Sequence, residues 1–380
     1  MMARARTIGL CAIALAVACG ETVRPEEGAS APPGERQAQG GLCGILGWLF
    51  PAQCANPSPS GPEPAPPATA IPAPPPPYAT ISYAKSFGCC ESGVGAALNA
   101  SGELLVAGPR AAYLTSGGVA RELSFTESLG CCDAGVGASI NSDGDYVVAG
   151  SRAAFVGRDQ VAQKLGLAKS LGCCDSGVGA AISATGDYVI AGPRAAYFGR
   201  GTSVREIALP ASPGCCESHI GVAINARGDY LIAGPRQVYL GREGHATALD
   251  NAGDFGCCDS GAGAAINDAG DYVVAGPRRV IVGKGTTFSV LDVKTSLGCC
   301  DSGVGVAINN SGDYVIAGPR GALFGKGTEH HAFATQESFG CCDAQVGVAL
   351  TDAGDYVIAG PREIISGNLS QLKVSPAPTN

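Results

Sequence analysis

The chain is poor in the side chains that most often carry chemistry or stacking. Among its 380 residues are 1 Trp, 2 Met and 4 His, and aromatic residues make up only 6%. So few rings weaken any reading as a platform on which bases or sugars stack. Charged residues are also scarce, at 15%, and the formal net charge is −8. An acidic surface argues against nucleic acid, whose phosphates call for clustered cations. Neither a His-Glu-x-x-His zinc motif nor a Gly-x-Ser-x-Gly elbow occurs. No catalytic residue and no cofactor is therefore assigned, and the chain is not expected to be an enzyme. No stretch shows a convincing helical period.

What the chain has in plenty is 57 Gly, 25 Pro and 46% hydrophobic residues, the profile of a turn-rich β protein. Its 18 Cys are too many for a reducing cytosol unless they bind metal or catalyse. The N-terminus supplies the compartment. Arg4 and Arg6 precede an apolar stretch, residues 8–17, too short to span a bilayer. Ala16, Val17 and Ala18 then stand before Cys19, which resembles a bacterial lipobox with Ala in place of the usual Leu. The resemblance implies a signal peptide over residues 1–18 and a lipid on Cys19. Plain secretion after cleavage at Ala18 is the other reading. Gly20 rather than Asp after the cysteine implies the outer membrane, so a lipid-anchored place in the bacterial cell envelope is expected. Residues 19–78 read as a disordered tether, Pro-rich over 56–77 and extended at about 3.1 Å per residue there. Within it Cys43 and Cys54 bracket a short apolar loop around Trp48 and are expected to pair locally.

From residue 87 onward the chain repeats. Cysteine pairs begin at positions 89, 131, 173, 215, 257, 299 and 341, each 42 residues after the last. Arg110, Arg152, Arg194, Arg236, Arg278, Arg320 and Arg362 keep the same interval. Such a period marks propellers and arrays. In the fifth unit residues 261–266 are small and apolar, suited to a crowded inner strand, and Asn267-Asp268-Ala269-Gly270 is a turn. Asp271-Tyr-Val-Val-Ala reads as a buried strand, Gly276-Pro277-Arg278 as a second turn, and residues 280–282 and 287–293 as outer strands. Four short strands per unit make one propeller blade. The expected fold is all-β, a seven-bladed propeller over residues 79–375 with a tail at 376–380; a β-solenoid is the alternative. Residues 79–86 sit where an outer strand would fall and are expected to complete the last blade, with residues 369–374 competing.

The run Phe255-Gly256, Ala262-Gly-Ala-Ala-Ile266, Gly270-Asp271-Tyr-Val-Val274 and Ala275-Gly276-Pro277 resembles the bacterial FG-GAP repeat family of propellers. The resemblance implies a fold rather than a ligand. Calcium-binding members of that family carry a longer acidic loop than the short turn found here, so no metal is assigned. The Gly-Cys-Cys-acid segment departs from the family pattern.

Three readings of Cys89, Cys90, Cys131, Cys132, Cys173, Cys174, Cys215, Cys216, Cys257, Cys258, Cys299, Cys300, Cys341 and Cys342 compete: vicinal disulfides, a belt joining neighbouring blades, or thiolates for a soft metal. The divergence of blades from the axis favours the vicinal bond. Each pair is followed by an acid: Glu91, Asp133, Asp175, Glu217, Asp259, Asp301 or Asp343. Acids and repeated arginines should share one face, where ion pairing between them is the simpler expectation and an anion site on the arginine ring the sharper one. The acids that open the second strands, from Asp145 to Asp355, are expected to cap hairpins, and Tyr146 and its equivalents to lie in the core. Unique chemistry should lie where the symmetry breaks: His219-Ile220, Ser151, Gln345 and His330-His331. The leading expectation is a monomeric binding or scaffold module in the cell envelope, held to the membrane by its N-terminal lipid and taking an envelope protein or glycan. A redox or soft-metal role for the cysteine ring is the alternative.

Overall fold

The computed structural model describes residues 83–372 apart from positions 89–92, 132, 251, 294–295 and 334–337. The expected signal peptide, Cys19, the tether with Cys43 and Cys54, the tail, and Cys89, Cys90 and Cys132 lie outside the described residues. What is described is all-β, with seven antiparallel sheets arranged as the blades of a propeller. Six sheets have four strands and the seventh has three.

The fifth blade shows why the sequence folds this way. Its strands, from the axis outward, are Gly263–Ile266, Asp271–Ala275, Val280–Lys284 and Thr287–Val290. The first turn works because Gly270 adopts φ +83°, a left-handed conformation that costs glycine little. Asn267 Oδ1 accepts the Asp271 N–H at 2.9 Å and closes the turn. Its Nδ2 donates to the Asn309 carbonyl of the next blade at 3.1 Å. Asn99, Asn141 and Asn225 make the same two kinds of bond, so one buried amide both caps a hairpin and ties two blades together.

The second strands are the core. Tyr272, Val273, Val274 and Ala275 are buried, as are their equivalents in blades two to six. Packing is between sheets: Leu231, Ala233 and Val238 of the fourth blade meet Phe255, Tyr272, Val274 and Ile281 around the fifth. Each large side chain so buried contributes roughly 1.5–3 kcal/mol. The repeated tyrosines are core residues, as expected. The acids opening the second strands do more than cap. Asp145, Asp187 and Asp229 pair with Arg158, Arg200 and Arg242, and Asp271 pairs with Lys284, each across the register of the neighbouring strand.

The seventh blade departs from the pattern. Its strands are Gly347–Leu350, Asp355–Ala359 and Ile364–Asn368, and Leu369–Gln371 forms a single 3-10 turn instead of an edge strand. Residues 79–82 lie outside the described set. The described residues 83–86 form no strand and sit against the first blade, where the Lys85 N–H donates to the Tyr113 hydroxyl at 2.8 Å. Lys169 holds the same place at Tyr197 in the third blade. This stretch is therefore the lead-in to blade one. Outer strands such as Thr287–Val290 fall at offsets equivalent to residues 77–80, earlier than the expected 79–86. Ile364 is 42% exposed and Leu98 of the first blade 54%.

Candidate functional site: the cysteine-belted mouth of the channel

After each outer strand the chain returns toward the axis and passes through Cys-Cys-acid. It then enters an isolated parallel bridge with the next unit. These bridges run Gly93–Gly135–Gly177–His219–Gly261–Gly303–Gln345 and step around one end of the central channel. Backbone bonds lock the steps, for example the Gly177 N–H to the Ser218 carbonyl and the Ile220 N–H to the Gly177 carbonyl.

This geometry overturns the vicinal disulfides. The bonds are Cys131–Cys174, Cys173–Cys216, Cys215–Cys258, Cys257–Cys300 and Cys299–Cys342, each joining the first cysteine of one repeat to the second of the next. The argument from diverging blades fails because the pairs sit at the inner end of each blade, only a few residues before the bridge. There the bonded Cα atoms are 5.0–5.4 Å apart, well within disulfide reach. Among the described residues Cys341 alone is a free thiol.

The repeated arginines and the post-cysteine acids of blades two to seven share this face, and there the expected pairing between them does not form. Among the described residues none of Arg152, Arg194, Arg236, Arg278, Arg320 and Arg362 forms an ion pair. Their guanidinium groups rest on sulfur instead: Arg236 on Cys258 at 3.2 Å, Arg278 on Cys300 at 3.0 Å and Arg320 on Cys342 at 3.4 Å. Arg152 and Arg194 take the same place on Cys174 and Cys216, and Arg362 lies on Cys341 at 3.0 Å. The physical reason lies in the turn, whose Arg N–H is held by a carbonyl at the start of the same unit, as from Arg278 to Phe255. That anchors the side chain over the cystine bond. Arg110 belongs to the same ring. The acids are exposed, and Glu217 and Asp259 approach one another rather than an arginine. A hydrogen bond shared with Asp259, and then repulsion from Asp259 with Asp175 beyond, hold the Glu217 carboxyl above the usual carboxylate range.

At this end of the channel is a cavity of roughly 200 Å³ to which all seven blades contribute. Five blades present glycine to it, the fourth presents His219 and the seventh Gln345. Two of the four expected symmetry breaks thus converge. The other two do not. Ser151 is buried in the second blade with its hydroxyl unpartnered, and His330 and His331 lie on the outer strand Glu329–Ala332. Burial holds the His219 imidazole below its ordinary pKa, so it is neutral near pH 7.

No protein-family profile matches the chain, and no curated protein sequence does. Similar solved structures exist. Virginiamycin B lyase from Staphylococcus aureus is 12% identical with a TM-score of 0.51, over 73% of this chain and 94% of that one. A streptogramin B lyase is 13% identical with a TM-score of 0.50, over 74% of this chain and 96% of that one. At such identity the likeness is one of fold alone, and it agrees with the seven-bladed propeller.

Proposed function

We propose that the chain is a binding or scaffold module of the bacterial cell envelope that holds a protein or glycan partner against its cysteine-belted face. One observation carries the reading: six exposed arginines, Arg152, Arg194, Arg236, Arg278, Arg320 and Arg362, rest their guanidinium groups on sulfur and keep their charge available. Guanidinium forks suit carboxylates, so acidic side chains or uronate-type sugars are the partner chemistry that fits. The lipobox-like Cys19, the Pro-rich tether and the FG-GAP-like repeats support display on the envelope. The module is read as non-catalytic. Of the four histidines only His219 lines the channel, and the lyases of similar fold share too little sequence to lend an activity. The redox or soft-metal alternative has less support, because ten of the repeat cysteines are already bound to each other. The test is affinity capture from envelope fractions with the native chain and with Arg236→Ala/Arg278→Ala/Arg320→Ala. A control variant removes Arg158, Arg200 and Arg242, on the opposite face. A partner retained by the native chain and the control but lost from the triple variant supports the reading; equal retention by all three refutes it.

A further inference from the structure

We propose that the channel mouth binds a primary ammonium group, with His219 as hydrogen-bond acceptor and the exposed carboxylates at the rim as counter-charge. The site does not depend on macromolecular docking and would persist without it. Its first observation is the pose of His219. A Cβ on Gly177 would stand 2.0 Å from His219 Cδ2, and one on Gly135 3.0 Å from the same atom. The ring therefore lies back across the two preceding blades and over the channel. The ring is partly buried, its nitrogens have no partner among the described residues, and it opens into the cavity. A neutral imidazole so placed has an unused acceptor.

The second observation is the placement of charge. Asp133, Asp175, Glu217, Asp259, Asp301 and Asp343 each stand two residues before a residue that lines the cavity. Those of the third, fourth and fifth blades are near enough to repel. The arginines belong to the turn between second and third strands, and their guanidinium groups are taken up by the cysteine sulfurs rather than by the acids. A cation at the centre relieves the carboxylate repulsion. A metal ion fits poorly: among the described residues no three His, Cys, Asp or Glu side chains come together to ligate one. An ammonium on a slender alkyl stem suits walls that include Val136, Val178, Ile220 and Val304.

Such a group comes from a free polyamine or from a lysine side chain. The chain has only four histidines, so their NMR signals are separable, and His219→Gly identifies the channel signal. That variant restores the residue of five other repeats and should fold. Spermidine is expected to shift the His219 signal saturably while His245, His330 and His331 stay in place. Glu217→Gln/Asp259→Asn should weaken binding about tenfold through lost Coulomb attraction. His219→Gly, followed by calorimetry, should cost about tenfold through the lost charge-assisted bond. Saturation by spermidine but not Nα-acetyl-lysine methylamide assigns a free polyamine; the reverse assigns a lysine side chain; saturation by both supports the ammonium site itself. No saturation by either overturns the proposal. So does a shift reproduced by sodium chloride at equal ionic strength, or unchanged affinity in the carboxylate variant.

Discussion

Replacing Cys257 and Cys300 together by serine removes one link of the belt and leaves no stray thiol to reshuffle. The bond closes a loop with a sequence separation of 43 residues. Its neighbours, Cys215–Cys258 and Cys299–Cys342, give the unfolded chain no shorter route between the two ends. On the chain-entropy account the lost constraint is therefore worth about 4 kcal/mol. Spread over an unfolding entropy near 2.1 cal/mol/K per residue and a body of roughly 290 residues, that lowers Tm by about 6–7 °C. Calorimetry of the oxidised protein measures it. Non-reducing tryptic mass spectrometry should meanwhile find the Cys257 and Cys300 peptides joined in the native chain and separate in the variant. A fall in Tm below about 1 °C, or native peptides that each carry an internal bond, would refute the belt and its energetic role.

Asn267→Ala strips the cap from the Asp271 N–H and the donor from the Asn309 carbonyl, both in buried surroundings, and should cost about 2–3 kcal/mol in denaturant unfolding. Gly177→Ala drives a methyl into the His219 ring and should destabilise by about 1–3 kcal/mol; adding His219→Gly should recover most of that, which a double-mutant cycle reads directly. Asp187 is held below the usual carboxylate range, first by its hydrogen bond from Arg200, so the stability it lends is complete above its unfolded pKa and lost as pH falls through the folded value. Asp187→Asn should accordingly lower stability at pH 6 and flatten its decline between about pH 4 and pH 2, in urea titrations across that range.

Most of the architecture was legible because strict repetition turns one local reading into seven. Gly270 with Asp271, and Tyr272 to Ala275, announce a turn and a buried strand in any context, and a 42-residue interval leaves few folds that close. The faces were legible too, since consecutive turns alternate ends and so place Cys258 and Arg278 together. What escaped was distance. Periodicity says that Cys257 and Cys300 share an end of the molecule; only the radial position of the Cys-Cys turn brings their Cα atoms to 5.0 Å. Nor does periodicity say that the arginines of this face rest on sulfur, as Arg278 does on Cys300, rather than on the acid beside it. The Asp271–Lys284 pair was missed although a signal existed: a basic residue recurs 13 positions after the acid in blades two to six, as it must for opposite ends of a hairpin register. The lead-in to blade one is illegible as such because a distance from the Cys-Cys loop does not fix where the outer strand ends and the return to the axis begins.

The scarcity of aromatics and the abundance of cysteine have one physical source at the axis. Inner strands approach so closely that a Cβ on Gly179, Gly221 or Gly263 would stand 2.2–2.4 Å from a carbonyl of the next blade. Backbones that close leave little apolar surface to bury, so cohesion there must come from hydrogen-bonded bridges and covalent links. The same crowding limits how the symmetry can be broken. His219 occupies the space above Gly177 and Gly135, and Gln345 that above Gly303. A large side chain at one position thus forbids another on the blades it leans across. The two substitutions present, three repeats apart, do not collide, and both line the cavity. A ring built this tightly can carry a distinctive centre only where its own repeats have been kept down to glycine.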